Sequence, residues 1–198
     1  MQNLTKLLVV IILASLSCTL SAQSDWISLF NGKNLNGWFI RGNANWTVEN
    51  GLLTGEGKMG HIYTDANASD FEFKGMFRIS GHNSNSGLYF RANPPEDRPD
   101  SFPRGYEAQL CHTQDAFTGW LWKPGTPTGK ASKLLTRDDE WINLRIKAVG
   151  PHIIFWINDE IVMTHYDEEY TSGHFAIQVH HEGMKVEAKE MYYRYLRQ

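Results

Sequence analysis

Cysteine is scarce in this chain. Its 198 residues hold two, Cys18 and Cys111. If Cys18 leaves with an export segment, Cys111 is the only thiol, no intrachain disulfide can form, and stability must come from packing. Stretches of helical periodicity are missing after the N-terminal segment. No run of Lys and Arg occurs and the formal net charge is −3, so nucleic acid and anionic membranes are not expected partners. No apolar run reaches the roughly 20 residues that a membrane-spanning helix needs, so no transmembrane segment is expected. Repeats, low-complexity tracts and linkers are absent too, and the length suits one domain with a real core.

The N-terminus carries the clearest local signal. Lys6 precedes the apolar run Leu7-Leu8-Val9-Val10-Ile11-Ile12-Leu13-Ala14, and small and polar residues follow to Ala22-Gln23. That order reads as a secretory signal peptide over residues 1–22. It predicts a mature domain over 23–198, exported to the periplasm or the cell surface. Lipoprotein processing at Cys18, in Ser15-Leu16-Ser17-Cys18, is the alternative: Ser17 fits the small position, but Ser15 stands where such a motif usually has Leu.

Short β-rich or alternating segments make up the rest, separated by Gly, Asn, Asp and Pro. Expected strands are Trp46–Val48, Leu52–Gly55, Ile62–Thr64, Phe71–Ile79, Gly87–Arg91, Tyr106–Leu110, Trp141–Val149, His152–Ile157, Ile161–Tyr166, Gly173–Val179 and Lys185–Leu196. Asn50-Gly51 and Asn158-Asp159 read as hairpin turns. The stretch from Thr113 to Arg137 reads as one long loop, a common carrier of binding residues on a β scaffold. The pattern predicts an all-β sandwich of two antiparallel sheets.

Alternation then sorts side chains by face. Leu88 and Phe90 oppose Gly87, Tyr89 and Arg91. Tyr106, Ala108 and Leu110 oppose Glu107 and Gln109. Phe175, Ile177 and Val179 oppose Ala176, Gln178 and His180. The polar faces together offer Tyr89, Arg91, Glu107, Gln109, Gln178 and His180, side chains that hydrogen-bond in fixed directions. On neighbouring strands they would line a shallow groove. The plainer alternative is an Arg91–Glu107 ion pair on a solvated sheet. Cys111 reads as a buried strand residue, and His112 as pointing away from the groove if the strand is regular.

At these same positions the chain resembles the 3-keto-disaccharide hydrolase family. The matching segments include Leu29-Phe30-Asn31-Gly32-Lys33-Asn34-Leu35-Asn36-Gly37-Trp38, Trp46-Thr47-Val48-Glu49-Asn50-Gly51 and Asn85-Ser86-Gly87-Leu88-Tyr89-Phe90-Arg91. They continue with Gly105-Tyr106-Glu107-Ala108-Gln109-Leu110 and Gly173-His174-Phe175-Ala176-Ile177-Gln178-Val179-His180. The resemblance implies a concanavalin A-like jelly roll. It also implies an enzyme acting on 3-keto-glycosides or oligosaccharides, with Arg91, Glu107, Gln109, Gln178 and His180 at the family's polar positions. Two segments depart from the family: His112 stands where an Asp is frequent, and the last strand reads Ala188-Lys189-Glu190-Met191.

The chemistry of such a site can be sketched. Ordinary glycoside hydrolysis needs two carboxylates flanking the bond, and only Glu107 is well placed. A ketone at C3 instead acidifies the hydrogen on C2, so that a base, an oxyanion stabiliser and an acid suffice for elimination and rehydration. Glu107 or His180 could be the base. Arg91 and Gln109 could hold the enolate or hydroxyls, and His180 or His112 could protonate the leaving group. Gln178, Tyr89, Asn85 and Trp120 complete the expected substrate contacts. Trp120 and Trp122 could stack on a sugar or plug the loop. A divalent cation on Glu107, His112, His180 or His181 is a possible cofactor, although no spacing marks a zinc site; His180 and His181, adjacent on a presumed strand, should face opposite ways. The rival function is a non-catalytic, lectin-like carbohydrate-binding domain.

Overall fold

The computed structural model describes residues 25–98 and 101–196, and the expected signal segment, Cys18 included, lies outside them. The described residues contain no helix, and none is long and apolar enough to cross a membrane. The strands are β1 (Ile27–Ser28), β2 (Trp38–Glu49), β3 (Leu52–Ala68), β4 (Phe71–Gly81), β5 (Asn85–Asn93), β6 (Arg104–Cys111), β7 (Leu121–Lys123), β8 (Thr126–Gly129), β9 (Ile142–Val149), β10 (His152–Ile157), β11 (Glu160–Tyr166), β12 (Gly173–Val179) and β13 (Met184–Tyr195). All pairings are antiparallel, in the order β11-β10-β9-β4-β13-β3-β12-β5-β6-β7-β8, with β1 on β13 and β2 on β3.

The two layers share one long strand. The first part of β3 pairs with β13 through Leu53 to Glu56, and its second part pairs with β12 through Gly60 to Ala68. Sequence alone suggests two short strands here because glycines interrupt the run. The reason for one of them is packing: a β-carbon on Gly55 would overlap the Trp46 indole lying across it. Between the layers sits an aromatic core. Phe175 of β12 meets Phe71 and Phe73 of β4 edge-on or tilted at 4.9 and 5.4 Å, and Phe90 of β5 meets Phe155 of β10 at 5.8 Å. The residues expected on the core faces of β5, β6 and β12 are there, fully or almost fully buried. Their alternate neighbours face away from the core, and this places the site.

Candidate functional site

One cross-strand row defines the site. Tyr63 on β3 pairs with Ala176 on β12, Ala176 with Tyr89 on β5, Tyr89 with Glu107 on β6, and Glu107 with Trp122 on β7. Directly opposed residues in a sheet put their side chains on one face, so five strands contribute to a single surface. The adjacent row pairs His61 with Gln178 and Gly87 with Gln109. Small residues make the space: a β-carbon on Gly87 would overlap the Glu107 carboxylate, so glycine lets that side chain lie across β5. The result is a cavity of about 200 Å³ lined by Asn85, Tyr89, Glu107, Gln109, Gln178 and His180, with Phe102 and Trp122 at its sides. A shallower depression adjoins it, sharing Asn85, Gln114 and His180 and adding Asn83, Thr113 and His181.

A hydrogen-bond chain sets the electrostatics. Gln178 Nε2 donates to Tyr89 Oη at 3.1 Å, and Tyr89 in turn bonds Glu107. Gln178 Nε2 also lies 3.3 Å from His61 Nε2. Glu107 is 8% exposed, and burial pushes its carboxyl up to about 8 despite the Tyr89 bond, which favours the ionised form. Burial, with His180 nearby, lowers His61 to about 3, so that ring is neutral. Burial and then His181 also lower His180. The carboxyl and the imidazole are thus pushed in opposite directions, the condition under which one acts as acid and the other as base near neutrality.

The tautomer of His180 follows from its neighbours. His181 Nε2 lies 3.1 Å from the His82 carbonyl oxygen, which only accepts, so Nε2 carries the proton. His180 Nδ1 lies 3.2 Å from His181 Nδ1; with both rings uncharged it donates there, and the lone pair of His180 is on Nε2. The expectation that the two imidazoles face opposite ways fails because β12 ends at Val179, and strand alternation stops there.

Arg91 is placed elsewhere. Its φ is 48°, and the pairing of β5 shifts register on both sides, between Phe90 and Asn93 against β6 and between His174 and Ala176 against β12. Such a bulge breaks the two-residue alternation and re-aims the side chain. The guanidinium, 1% exposed, donates to the carbonyls of Ser69 and Gly150 at 2.8 Å and of Tyr170 at 3.3 Å, and pairs with Asp70 at 3.2 Å. It neither lines the groove nor pairs with Glu107. His112 is outside as well: Nδ1 meets Asp138 at 3.0 Å and Nε2 meets Thr136 at 2.8 Å, which ties its loop down. The expected long loop contains β7 and β8. Trp120 precedes β7 and packs on the main core beside Phe117, whereas Trp122 lies in register with Glu107 on the groove. Cys111 is buried, as expected.

Sequence reasoning missed His61, Tyr63 and Phe102. His61 and Tyr63 flank Ile62 in the same alternation that revealed the other positions. Phe102 comes from the segment between β5 and β6 and sits 6.1 Å from the His180 ring and 6.5 Å from His61. Several buried polar atoms around the groove have no protein partner: His61 Nδ1, Tyr63 Oη, Asn85 Oδ1, Trp122 Nε1 and Gln178 Oε1. Native proteins leave few such atoms unpaired, and each needs an explanation. A mixed set of donors and acceptors around one cavity suits a ligand rich in hydroxyls. Among the described residues, no three His, Cys, Asp or Glu side chains are grouped to hold a metal ion.

The described strands form an all-β, jelly-roll-like sandwich with a polar, aromatic-walled groove on one outward sheet face. Within that class the chain belongs to the family of 3-keto-alpha-glucoside-1,2-lyase-like domains, whose model matches residues 25–197. No curated protein matches the chain significantly. Among solved structures it is similar to a candidate glycosyl hydrolase from Parabacteroides distasonis ATCC 8503, with a TM-score of 0.69 and 22% identity over 87% of this chain and 94% of that one. It is also similar to the carbohydrate-binding module CBM66 of Bacillus subtilis, with a TM-score of 0.66 and 19% identity over 81% and 97% of the two chains. A Bacillus subtilis protein of unknown function with a galectin-like fold follows, at 0.67 and 12% identity over 85% and 94%. These likenesses establish the fold.

Proposed function

We propose that the protein is an exported enzyme that cleaves 3-keto-glycosides by elimination across C1 and C2 followed by hydration. The observation that carries the reading is the pairing, in one sugar-sized cavity, of a carboxyl that burial keeps protonated with an imidazole that burial pushes toward its neutral form. Membership in a 1,2-lyase-like family supports it. So does Glu107 being the one carboxylate among the described residues that line the groove, since direct hydrolysis needs two.

In this mechanism the C3 ketone lies at the deep end and accepts from the Glu107 carboxylic acid, which itself accepts from Tyr89. His180 Nε2 removes the proton from C2, and the electron pair moves to the ketone oxygen as an enolate that Glu107 stabilises. The enolate collapses, C3=O reforms, a double bond forms between C1 and C2, and the bond from C1 to the leaving oxygen breaks. The proton on His180 passes to that oxygen. Water then adds, hydroxyl to C1 and hydrogen to C2, and releases the 3-keto sugar. Gln109, Gln178 and Asn85 orient the hydroxyls, and the adjoining depression receives the leaving group.

The test is turnover of a purified 3-keto-disaccharide against its unoxidised parent, with products followed by mass spectrometry. Cleavage of the keto sugar alone is expected. A second reading, a carbohydrate-binding domain using the same groove, draws on the unpartnered polar atoms and on the likeness to a binding module. Binding of either sugar without cleavage would establish it and overturn the enzyme.

A further inference from the structure

The outward face of the other layer is cationic, although the sequence contains no basic run. On β4, β9 and β13 every second residue faces away from the core, and there the chain places Lys74, Arg78, Arg145, Lys147, Lys189 and Arg194, with Lys185 at the rim. Two buried carboxylates answer them. Glu72 holds Arg145 and Arg194, and Glu187 holds Arg78 at 2.6 Å and Lys185 at 3.4 Å. Glu190, at the strand's bulge, lies 3.8 Å from Lys189. Glu56 stands opposite Lys185 in register and Asp139 acts on Arg78, yet the seven cations still outnumber these carboxylates on a chain whose net charge is −3, so positive charge is in excess here.

Indoles as well as acids hold several of these cations. Lys74 lies 4.5 Å from the Trp26 ring centroid with Arg194 at 4.8 Å from the same ring, Lys189 lies 4.4 Å from Trp141, and Arg145 lies 4.5 Å from Trp156. A cation–π contact orients an ammonium or guanidinium without cancelling its charge. The face therefore presents an ordered array of cations on a rigid sheet, and ordering before binding reduces the entropy that a partner must overcome.

We infer that this face docks an anionic polysaccharide, a chain of carboxylated or sulfated sugars, and leaves the groove on the opposite face of the sandwich open. Charge complementarity names the sign of the partner. Three features choose among polyanions. The indole faces are occupied by cations, so they are not free to stack with bases as single-stranded nucleic acid requires. The face is a sheet, and among the described residues there is no helix to enter a duplex groove. Among the described residues its middle also exposes no large apolar side chain that could insert into lipid: Ile27, Ile161, Tyr166 and Tyr195 lie on the short strand β1, the edge strand or the strand end.

The experiment measures binding of the purified protein to polygalacturonate, to a neutral glucan, to duplex DNA and to anionic phospholipid vesicles, across salt concentrations. The wild type should bind polygalacturonate with an affinity that falls steeply with salt, and should bind the other three at least tenfold more weakly. The triple variant Lys74→Gln, Lys147→Gln, Lys189→Gln should lose about tenfold or more for polygalacturonate and show a shallower salt dependence, with thermal unfolding unchanged. Absence of polygalacturonate binding, equal binding by the triple variant, or preference for DNA or vesicles would each overturn the inference. If the triple variant unfolds early, Arg145→Lys with Lys147→Gln serves instead, and wild-type affinity in that variant overturns it as well.

Discussion

Tyr89 and Arg91 are two residues apart on one strand, yet their surroundings differ in kind. Around Arg91 the hydrogen-bond demand is met by the chain: three carbonyls and the Asp70 carboxylate take its donors, and Gly150 N–H also donates to Asp70. Around Tyr89, buried polar atoms lack protein partners on the cavity wall, at Asn85, Trp122 and Gln178, and beside it, at His61 and Tyr63. A saturated network fixes the meeting of three loops on β5, whereas an unsaturated one leaves valences for a visitor. Buried polar groups are costly in both cases, but only in the groove can a ligand recover that cost.

The comparison makes opposite demands of mutants. His180→Ala should reduce kcat/KM for a 3-keto-disaccharide by about 10²–10⁴-fold, the usual contribution of a general base, while leaving thermal unfolding near that of wild type. Unchanged turnover would remove His180 from the mechanism. At the saturated end, Arg91→Met should destabilise the fold by about 3–5 kcal/mol, the range for removing one partner of a buried charged network, read as the loss in denaturant midpoint. Sugar affinity of the molecules that remain folded should hold. A stable Arg91→Met protein with lost binding would reverse the assignment of the two ends.

The smallest effect sharpens the electrostatics. The Glu107 carboxyl titrates at about 8 in the fold against an ordinary 4.5, so between those values the native state holds a proton that the unfolded chain has released. Stability therefore falls as pH rises through that window and levels off above it. Glu107→Gln removes this penalty. The variant should match wild type below pH 4.5 and exceed it above about 8, by about 2–4 °C in Tm for each kcal/mol recovered. Its activity should be reduced but no longer decline on the alkaline side, because an amide still donates and cannot ionise. Activity in wild type that rises through pH 8 would instead make Glu107 the base.

Much of this was legible beforehand. The core faces of β5, β6 and β12 followed from alternation, and so did Glu107, Gln109, Gln178 and Tyr89 on one surface, since a pleated strand obliges neighbours to opposite sides. His61 and Tyr63 carried the same signal around Ile62. Arg91 was misjudged because the bulge beyond Phe90 depends on the approach of other segments, which no local pattern announces. Trp120 and Trp122 looked equivalent at two-residue spacing until β7 began between them.

The amino-acid sequence by itself determined an all-β chain, the inward and outward sides of its strands and the family to which it belongs, because these rest on local periodicity and on ordered motifs. Tertiary structure alone decided which polar residues share the cavity, which imidazoles meet there, and that scattered lysines and arginines gather on one face. Those properties arise from contacts between residues far apart in the chain, where burial and neighbouring charge set the protonation of each group.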